Sequence, residues 1–209
     1  MNEGIQPVVR VVDDDPQVLH STQWLLEGSG YEVVTYTDAS AFEAGFDPAV
    51  PGCVVLDIRM PTKDGLTLFE EMREHDWDIP VIFLTGHGDV PQATRALLGG
   101  AFHFLEKPYN PRQLIETIQN ALETDTAMRQ AREARSETAN RYQELTPRQR
   151  DVARHLAAGM SAKETAQRLE MSPKTVEVHR GHILKKMGVS TTVELVHLLQ
   201  QIQVAFPER

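Results

Sequence analysis

The chain has 209 residues, 41% of them hydrophobic and 24% charged, with one cysteine and a formal net charge of −9. That length suits one large domain or two small ones, and the composition is that of an ordinary soluble globular protein. A single cysteine excludes an internal disulfide, no Cys/His spacing fits a zinc site, and no apolar run approaches the roughly 18–20 residues of a membrane span. The N-terminal MNEGIQPVVR carries an acid and no secretory core, so a cytoplasmic protein is expected. The charge is uneven. Residues 1–124 hold 7 Lys+Arg against 20 Asp+Glu, a balance of −13, and residues 125–209 hold 14 against 10, a balance of +4. An acidic half joined to a basic half points to two domains with different partners.

Val8 to Val12 is an apolar run interrupted by Arg10 and followed by Asp13-Asp14-Asp15-Pro16. This predicts a strand ending in carboxylates, with Asp15 capping a helix and Pro16 in its first turn. That helix carries Val18, Leu19, Trp24, Leu25 and Leu26 and stops at Gly28-Ser29-Gly30. Tyr31 to Tyr36 reads as a second strand and residues 39–46 as a short helix. Cys53-Val54-Val55-Leu56 has the pattern of a strand buried on both faces and ends abruptly in Asp57. Taken alone, Asp57 fits a helix cap or a turn former as well as a site. A helix with Leu66, Leu68, Phe69 and Met72 follows. Ile79 to Thr85 is the fourth strand, residues 90–98 a helix, Ala101 to Leu105 the fifth strand running into Glu106-Lys107-Pro108, and Asn110-Pro111 opens a fifth helix. Alternation of this kind predicts a doubly wound parallel α/β sheet over residues 1–124.

Residues 121–142 contain no glycine or proline, and small residues recur among charges, so a helical linker over 125–142 is expected. A four-helix domain follows over 143–209. Thr146-Pro147-Arg148-Gln149 and Ser161-Ala162-Lys163-Glu164 fit the capping box, and Ser172-Pro173 is a cap followed by a first-turn proline. Gly159 and Gly188 close the first and third helices, and the fourth runs from about Thr192 to Val204.

Four strands end in polar residues of specific kinds: Asp13-Asp14, Asp57, Thr85 and Lys107. In a parallel sheet these ends share one edge, where open α/β sheets place their chemistry. Clustered carboxylates repel one another and suit a hard cation with oxygen ligands, Mg²⁺ being the natural choice. A carboxylate beside such a cation, a lysine and a hydroxyl is a phosphate site with its nucleophile in place.

This pattern of Asp-Asp, Asp, Thr and Lys-Pro at strand ends resembles the receiver domain of two-component response regulators. The run Thr85-Gly86-His87-Gly88-Asp89-Val90-Pro91 is similar to the FixJ-type subgroup. The resemblance implies Asp57 as phosphoacceptor, and Asp14, Asp57 and the backbone carbonyl of Arg59 as Mg²⁺ ligands, with Asp13 holding the metal through water. It also implies a cis peptide before Pro108 and a switch in which Thr85 moves toward the phosphate and the Phe104 ring turns inward. His87 and His103 read as loop and sheet-edge residues.

In the third helix of the second half, Val176, His179, Ile183 and Met187 form one inward stripe, and Lys174, Thr175, Glu177, Val178, Gly181, His182 and Lys185 occupy the other faces. A short turn before it gives a helix-turn-helix. MSPKTVEVHRGHILKKMGV, with LTPRQRDV upstream, resembles the LuxR/NarL-type DNA-binding domain. That resemblance places Glu177, Val178 and Gly181 toward bases and Thr175, Arg180 and Lys185 toward phosphates, with Lys174 a further basic group on that surface. Some relatives carry lysine where Glu177 and Gly181 stand, so their base preferences do not transfer.

Together these imply a phosphorylation-activated transcription factor. Its expected partners are a sensor histidine kinase, promoter DNA, RNA polymerase and, once phosphorylated, a second copy of itself paired near Val90, Pro91, Thr94 and Phe104. The unmodified first half is expected to restrain the second. A phosphatase of the haloacid dehalogenase type would need an aspartate where Arg59 stands. An autoinducer sensor or a flavodoxin-like cofactor binder gives no reason for converging carboxylates.

Overall fold

The structure is a computed structural model and describes residues 6–86 and 90–206, with the side chains of 90–93 outside that description. It divides into two compact units, residues 1–128 and 129–209.

In the first unit, β1 (Val8–Val12), β2 (Glu32–Tyr36), β3 (Gly52–Asp57), β4 (Val81–Thr85) and β5 (His103–Glu106) form one parallel sheet in the order β2-β1-β3-β4-β5. The connecting helices are α1 (Pro16–Gly28), α2 (Ala39–Gly45), α3 (Gly65–Glu74) and α4 (Val90–Leu98), with α5 (Pro111–Gln143) after the last strand. Parallel strands need crossovers, which put helices on both faces and demand strands apolar on both sides. The period of two then sorts the side chains. Val9, Val11, Cys53, Val55, Ile82 and Leu84 pack with Leu19, Leu26, Leu114 and Ile118. Val12, Val54, Leu56, Val81 and Phe83 pack with Phe42, Leu68, Phe69 and Met72. Each fully buried aliphatic here contributes about 1.5–3 kcal/mol, so burial rather than strand propensity holds these runs in register.

The fourth and fifth strands start two residues later than the sequence predicts. β4 opens at Val81 because Pro80 has no N–H to give; its carbonyl still accepts from Val54 N at 2.9 Å. β5 opens at His103, after Gly100 turns the chain at φ +96°. Both expected helix starts carry their caps. Asp15 accepts from Gln17 N at 2.8 Å, and Asn110 from Arg112 N at 2.9 Å. Residues 125–142 lie within α5, which continues past Met128 without a break.

In the second unit, α6 (Pro147–Ala157), α7 (Ala162–Arg168), α8 (Pro173–Met187) and α9 (Thr192–Gln201) surround Leu145, Val152, Leu156, Val176, Ile183, Met187, Leu195 and Leu199. Both capping boxes are formed, and Ser172 caps α8 through Thr175 N. Gly188 ends α8 in the left-handed region at φ +71°, which a side chain would disfavour. α9 stops three residues short of the expected Val204. Gln203 turns at φ +57°, and Val204 and Phe206 fold back onto the core.

Candidate functional site

The order β2-β1-β3-β4-β5 reverses direction at β1, so the crevice beyond the ends of β1 and β3 is the topological switch point. Asp13 and Asp57 stand there, one residue beyond the Val12–Leu56 pair on β1 and at the tip of β3. Lys107, just past β5, reaches back across the edge. Its Nζ donates to Asp13 Oδ2 at 2.6 Å and to Asp57 Oδ1 at 2.5 Å. The lysine is fixed at its backbone, where its N–H donates to Thr85 O at 2.7 Å. The cis peptide expected before Pro108 is present.

Asp57 is 6% exposed, and its other oxygen, Oδ2, accepts from Arg59 N at 2.7 Å. Burial pushes its pKa up from the ordinary carboxylate value. The hydrogen bond and charge of Lys107 pull it down, the charge of Asp13 raises it, and the Arg59 N–H lowers it; burial prevails. For Lys107, burial lowers the pKa, and the bonds to Asp13 and Asp57 raise it enough to prevail. The two shifts go the same way for a simple reason: one lysine draws on two carboxylates, whereas Asp57 has only a share of one lysine. Counting Asp13, Asp14, Asp57 and Lys107, the edge carries an excess of two negative charges.

That excess and the all-oxygen donor set fit a hard divalent cation. The expected ligands are not all gathered, however. Asp13 and Asp57 meet around Lys107, while Asp14 is solvent-exposed. Among the described residues no three His, Cys, Asp or Glu side chains are grouped to hold a metal. A cation that takes Asp57 Oδ1 would share that oxygen with Lys107 Nζ. Gly65 keeps this corner compact. A Cβ there would sit 2.1 Å from Asp57 O, so only glycine lets α3 start directly beneath Asp57. Lys63, which no sequence motif singles out, pins the loop after Asp57 by bonds to Glu43 at 2.8 Å and Glu71 at 2.6 Å. Its Glu43 partner lies twenty residues back, where no short motif points.

Of the two residues expected to form a switch, Thr85 is buried and its Oγ1 donates to Leu105 O at 3.4 Å. Phe104 is half-buried against the α2–α3 face of the sheet. His103 lies on the edge strand, as expected, and His87 falls outside the described residues. So do the side chains of Val90 and Pro91, on which the expected pairing surface draws.

On α8, Val176, Ile183 and Met187 are fully buried, and His179 is half-buried with its Nδ1 enclosed, so the inward stripe holds. Lys174, Thr175, Glu177, Val178, Gly181, His182 and Lys185 are exposed together on the outer faces. Val178 is 52% exposed, an apolar group with no packing role to keep it there. A Cβ added at Gly181 would meet nothing within 4 Å, so packing within this unit does not require glycine at that position. Arg180 is the exception to full exposure. It is half-buried, donating to Glu177 Oε2 at 3.1 Å and to Thr192 Oγ1 at 3.2 Å. Thr192, at the start of α9, is not a candidate from sequence, because only the helix packing brings it to Arg180. Basic side chains beside small and apolar ones on one helix face suit phosphates and base edges respectively.

Comparison with known proteins finds the two families that the chain resembles. Residues 9–119 match the response regulator receiver domain family, and residues 143–199 match the bacterial regulatory proteins of the luxR family. The chain is 37% identical over 190 residues to the transcriptional regulatory protein FixJ of Bradyrhizobium diazoefficiens, covering 91% of this chain and 93% of that one. It is 40% identical to FixJ of Azorhizobium caulinodans over 91% and 90% of the two chains. Among solved structures, the response regulator StyR superposes with a TM-score of 0.80 at 37% identity, covering 94% of this chain and 99% of that one. Full-length FixJ from B. japonicum gives 0.57 at 36% identity, over 94% and 97%.

Proposed function

This chain belongs to the FixJ-type two-component response regulators, phosphorylation-dependent transcription regulators with a receiver domain and a LuxR-family DNA-binding domain, and from that premise we propose that Asp57 is its phosphoacceptor. The observation that carries the assignment is the Lys107 ammonium shared between Asp13 and Asp57 at the switch point of the sheet. Asp57 alone joins the tip of a central strand to that lysine. An Asp57 carboxylate oxygen attacks the phosphorus of the donor, the donor's leaving group departs, and an acyl phosphate remains on the side chain. Lys107 then transfers its hydrogen bond from Asp57 to a phosphoryl oxygen, and Thr85 turns from Leu105 O toward the same group. Asp14, Asp57 and the Arg59 carbonyl would hold Mg²⁺, with Asp13 acting through water, and the cation would supply neutralisation of the phosphoryl charge. The Phe104 ring follows Thr85 inward, changing the face of β5.

The receiver spans residues 1–124, a helical linker 125–142, and the DNA-binding domain 143–209. Its phosphodonor is a sensor histidine kinase. Phosphorylated receivers pair, and two α8 helices then read half-sites about one DNA turn apart. Val178, Glu177 and Gly181 face base edges; Lys174, Thr175, Arg180 and Lys185 face phosphates; RNA polymerase is the final partner. The proposed place of action is the cytoplasm; among the described residues no helix is long and apolar enough to cross a membrane.

Incubation with acetyl phosphate and Mg²⁺, followed by mass spectrometric mapping, tests the acceptor. The modification is expected on Asp57, and removal of Mg²⁺ abolishes it. Equal labelling of Asp57→Asn would sink the assignment. A gel shift on one promoter then compares unmodified chain, phosphorylated chain and a fragment from about residue 140. The strongest binding is expected from the phosphorylated chain, and the restraint requires the fragment to exceed the unmodified chain.

A further inference from the structure

We propose that the hydroxyl pair Thr22–Tyr109 is a positioning device for Lys107, tying the segment that carries the lysine to helix α1. The inference rests on the reading of Asp57 as phosphoacceptor. Thr22, in the middle of α1, is 1% exposed, and its Oγ1 shares a hydrogen bond of 2.7 Å with the Tyr109 hydroxyl. Tyr109 is two residues beyond Lys107, and its ring packs against the sheet face that α1 and α5 cover. A buried hydroxyl without a partner costs about 1–3 kcal/mol, so this contact holds in one place two side chains 87 residues apart.

The contact closes a ring. Lys107 Nζ bonds Asp13 at 2.6 Å. Asp13 Oδ1 in turn accepts from Asp15 N at 2.9 Å, and Asp15 caps α1. Seven residues along that helix, Thr22 meets Tyr109, and the chain returns through Pro108 to Lys107. On the far side, Lys107 N is held by Thr85 O and Asn110 caps α5. The lysine backbone is thus clamped from β4, from α5 and, through the tyrosine, from α1.

This matters because the ammonium must move. Before reaction it bonds Asp57 Oδ1 at 2.5 Å; afterwards it has to meet a phosphoryl oxygen on the same side chain. A long flexible stem can make that transfer to the right place only if its Cα stays put. Misplacement of a charge-stabilising group by about 1 Å costs on the order of 100-fold in rate. The hydroxyl pair is one restraint among three, so its loss should give a smaller effect, about three- to tenfold.

The test uses the full chain with acetyl phosphate and Mg²⁺, following phosphoprotein formation against donor concentration. Tyr109→Phe removes one oxygen, and Thr22→Val removes the other without changing shape. Each should lower the maximal labelling rate about three- to tenfold, and the double variant no further, as expected of one shared contact. The donor concentration at half-saturation should not move. Thr22→Ser, which keeps the hydroxyl, should restore the rate to within about twofold of the parent. In a Lys107→Ala background, Tyr109→Phe should have no further effect, an outcome that a merely stabilising hydroxyl would not give. Rates within twofold of the parent for both single variants would overturn the proposal, as would an equal loss in the Lys107→Ala background. Labelling of Asp57→Asn at the parental rate marks the different failure, that of the acceptor assignment itself. Should Tyr109→Phe fold poorly, Thr22→Val reads the same bond from the other side.

Discussion

The sheet of the first unit holds a cationic side chain at each end, and the two are treated differently. At the C-terminal edge Lys107 faces two carboxylates, keeps a quarter of its side chain in water, and leaves Asp57 with its pKa raised. At the N-terminal edge Arg10, 3% exposed, donates to the carbonyls of Val8 at 3.3 Å and Val50 at 3.1 Å and lies over the Phe46 ring at 5.2 Å. Asp125 of α5, 1% exposed, accepts from Gly52 N at 2.9 Å. The Arg10 guanidinium also crowds Gly52, its Nη1 only 2.8 Å from where a Cβ would stand. One end is left electrostatically unbalanced and open to a ligand; the other is satisfied by carbonyls and sealed. Buried charge alone does not mark a reactive site. Imbalance and access do.

The largest expected effect comes from closing the sealed end. A Cβ on Gly52 would lie 1.9 Å from Val8 O, on a residue at φ +151°. Gly52→Ala should therefore cost about 3 kcal/mol or more in urea unfolding of the first unit. A loss below about 1 kcal/mol would mean that β1 and β3 can part there cheaply.

Next, Arg10→Ala should cost about 1–3 kcal/mol, since it takes a donor from the carbonyls of Val8 and Val50, while Asp57 labelling stays within about twofold of the parent. Lys107→Ala should do the reverse, costing less stability because its site is wet, but most of the labelling. Equal stability losses from the two would erase the distinction between the ends.

A smaller effect carries a sign. The Asp57 pKa is raised in the folded state, so folding with Asp57 intact loses stability as pH rises from the ordinary carboxylate value through the folded one. In metal-free buffer Asp57→Asn should thus melt higher than the parent at pH 7, with the advantage shrinking as pH falls toward the ordinary carboxylate value of about 4 and gone below it. A lower melting temperature at pH 7 would show that the Lys107 bond outweighs burial.

The smallest effect is a near absence of reaction. Cys53, beside Gly52, is fully buried; burial above all pushes its thiol pKa up to about 12, with Arg10 lowering it and Asp125 raising it. An aromatic disulfide reagent at pH 8 should label it only through opening of β1 from β3, and faster in Arg10→Ala. Prompt labelling of the parent would mean that the sealed end breathes on its own.

The order of residues along the chain is enough to dictate the elements and the cast of the site. Strands buried on both faces read as apolar runs, and a strand's end is a local property, so Asp13, Asp57, Thr85 and Lys107 are legible in the chain itself. The caps at Asp15, Thr146, Ser161 and Ser172 are equally legible, because capping acts within three residues. Packing in three dimensions settles who bonds whom. Lys107 takes Asp13 and Asp57, while Asp14 is exposed, a pairing that exists only once β1, β3 and β5 lie in one sheet. Arg10, legible only as an interruption of a strand, acquires its partners when the loop between α2 and β3 brings the Phe46 ring and Val50 O to it. Thr22 meets Tyr109, and Arg180 meets Thr192, for the same reason. Such pairs join residues brought together by crossovers and helix packing, and the spacing along the chain carries no trace of them.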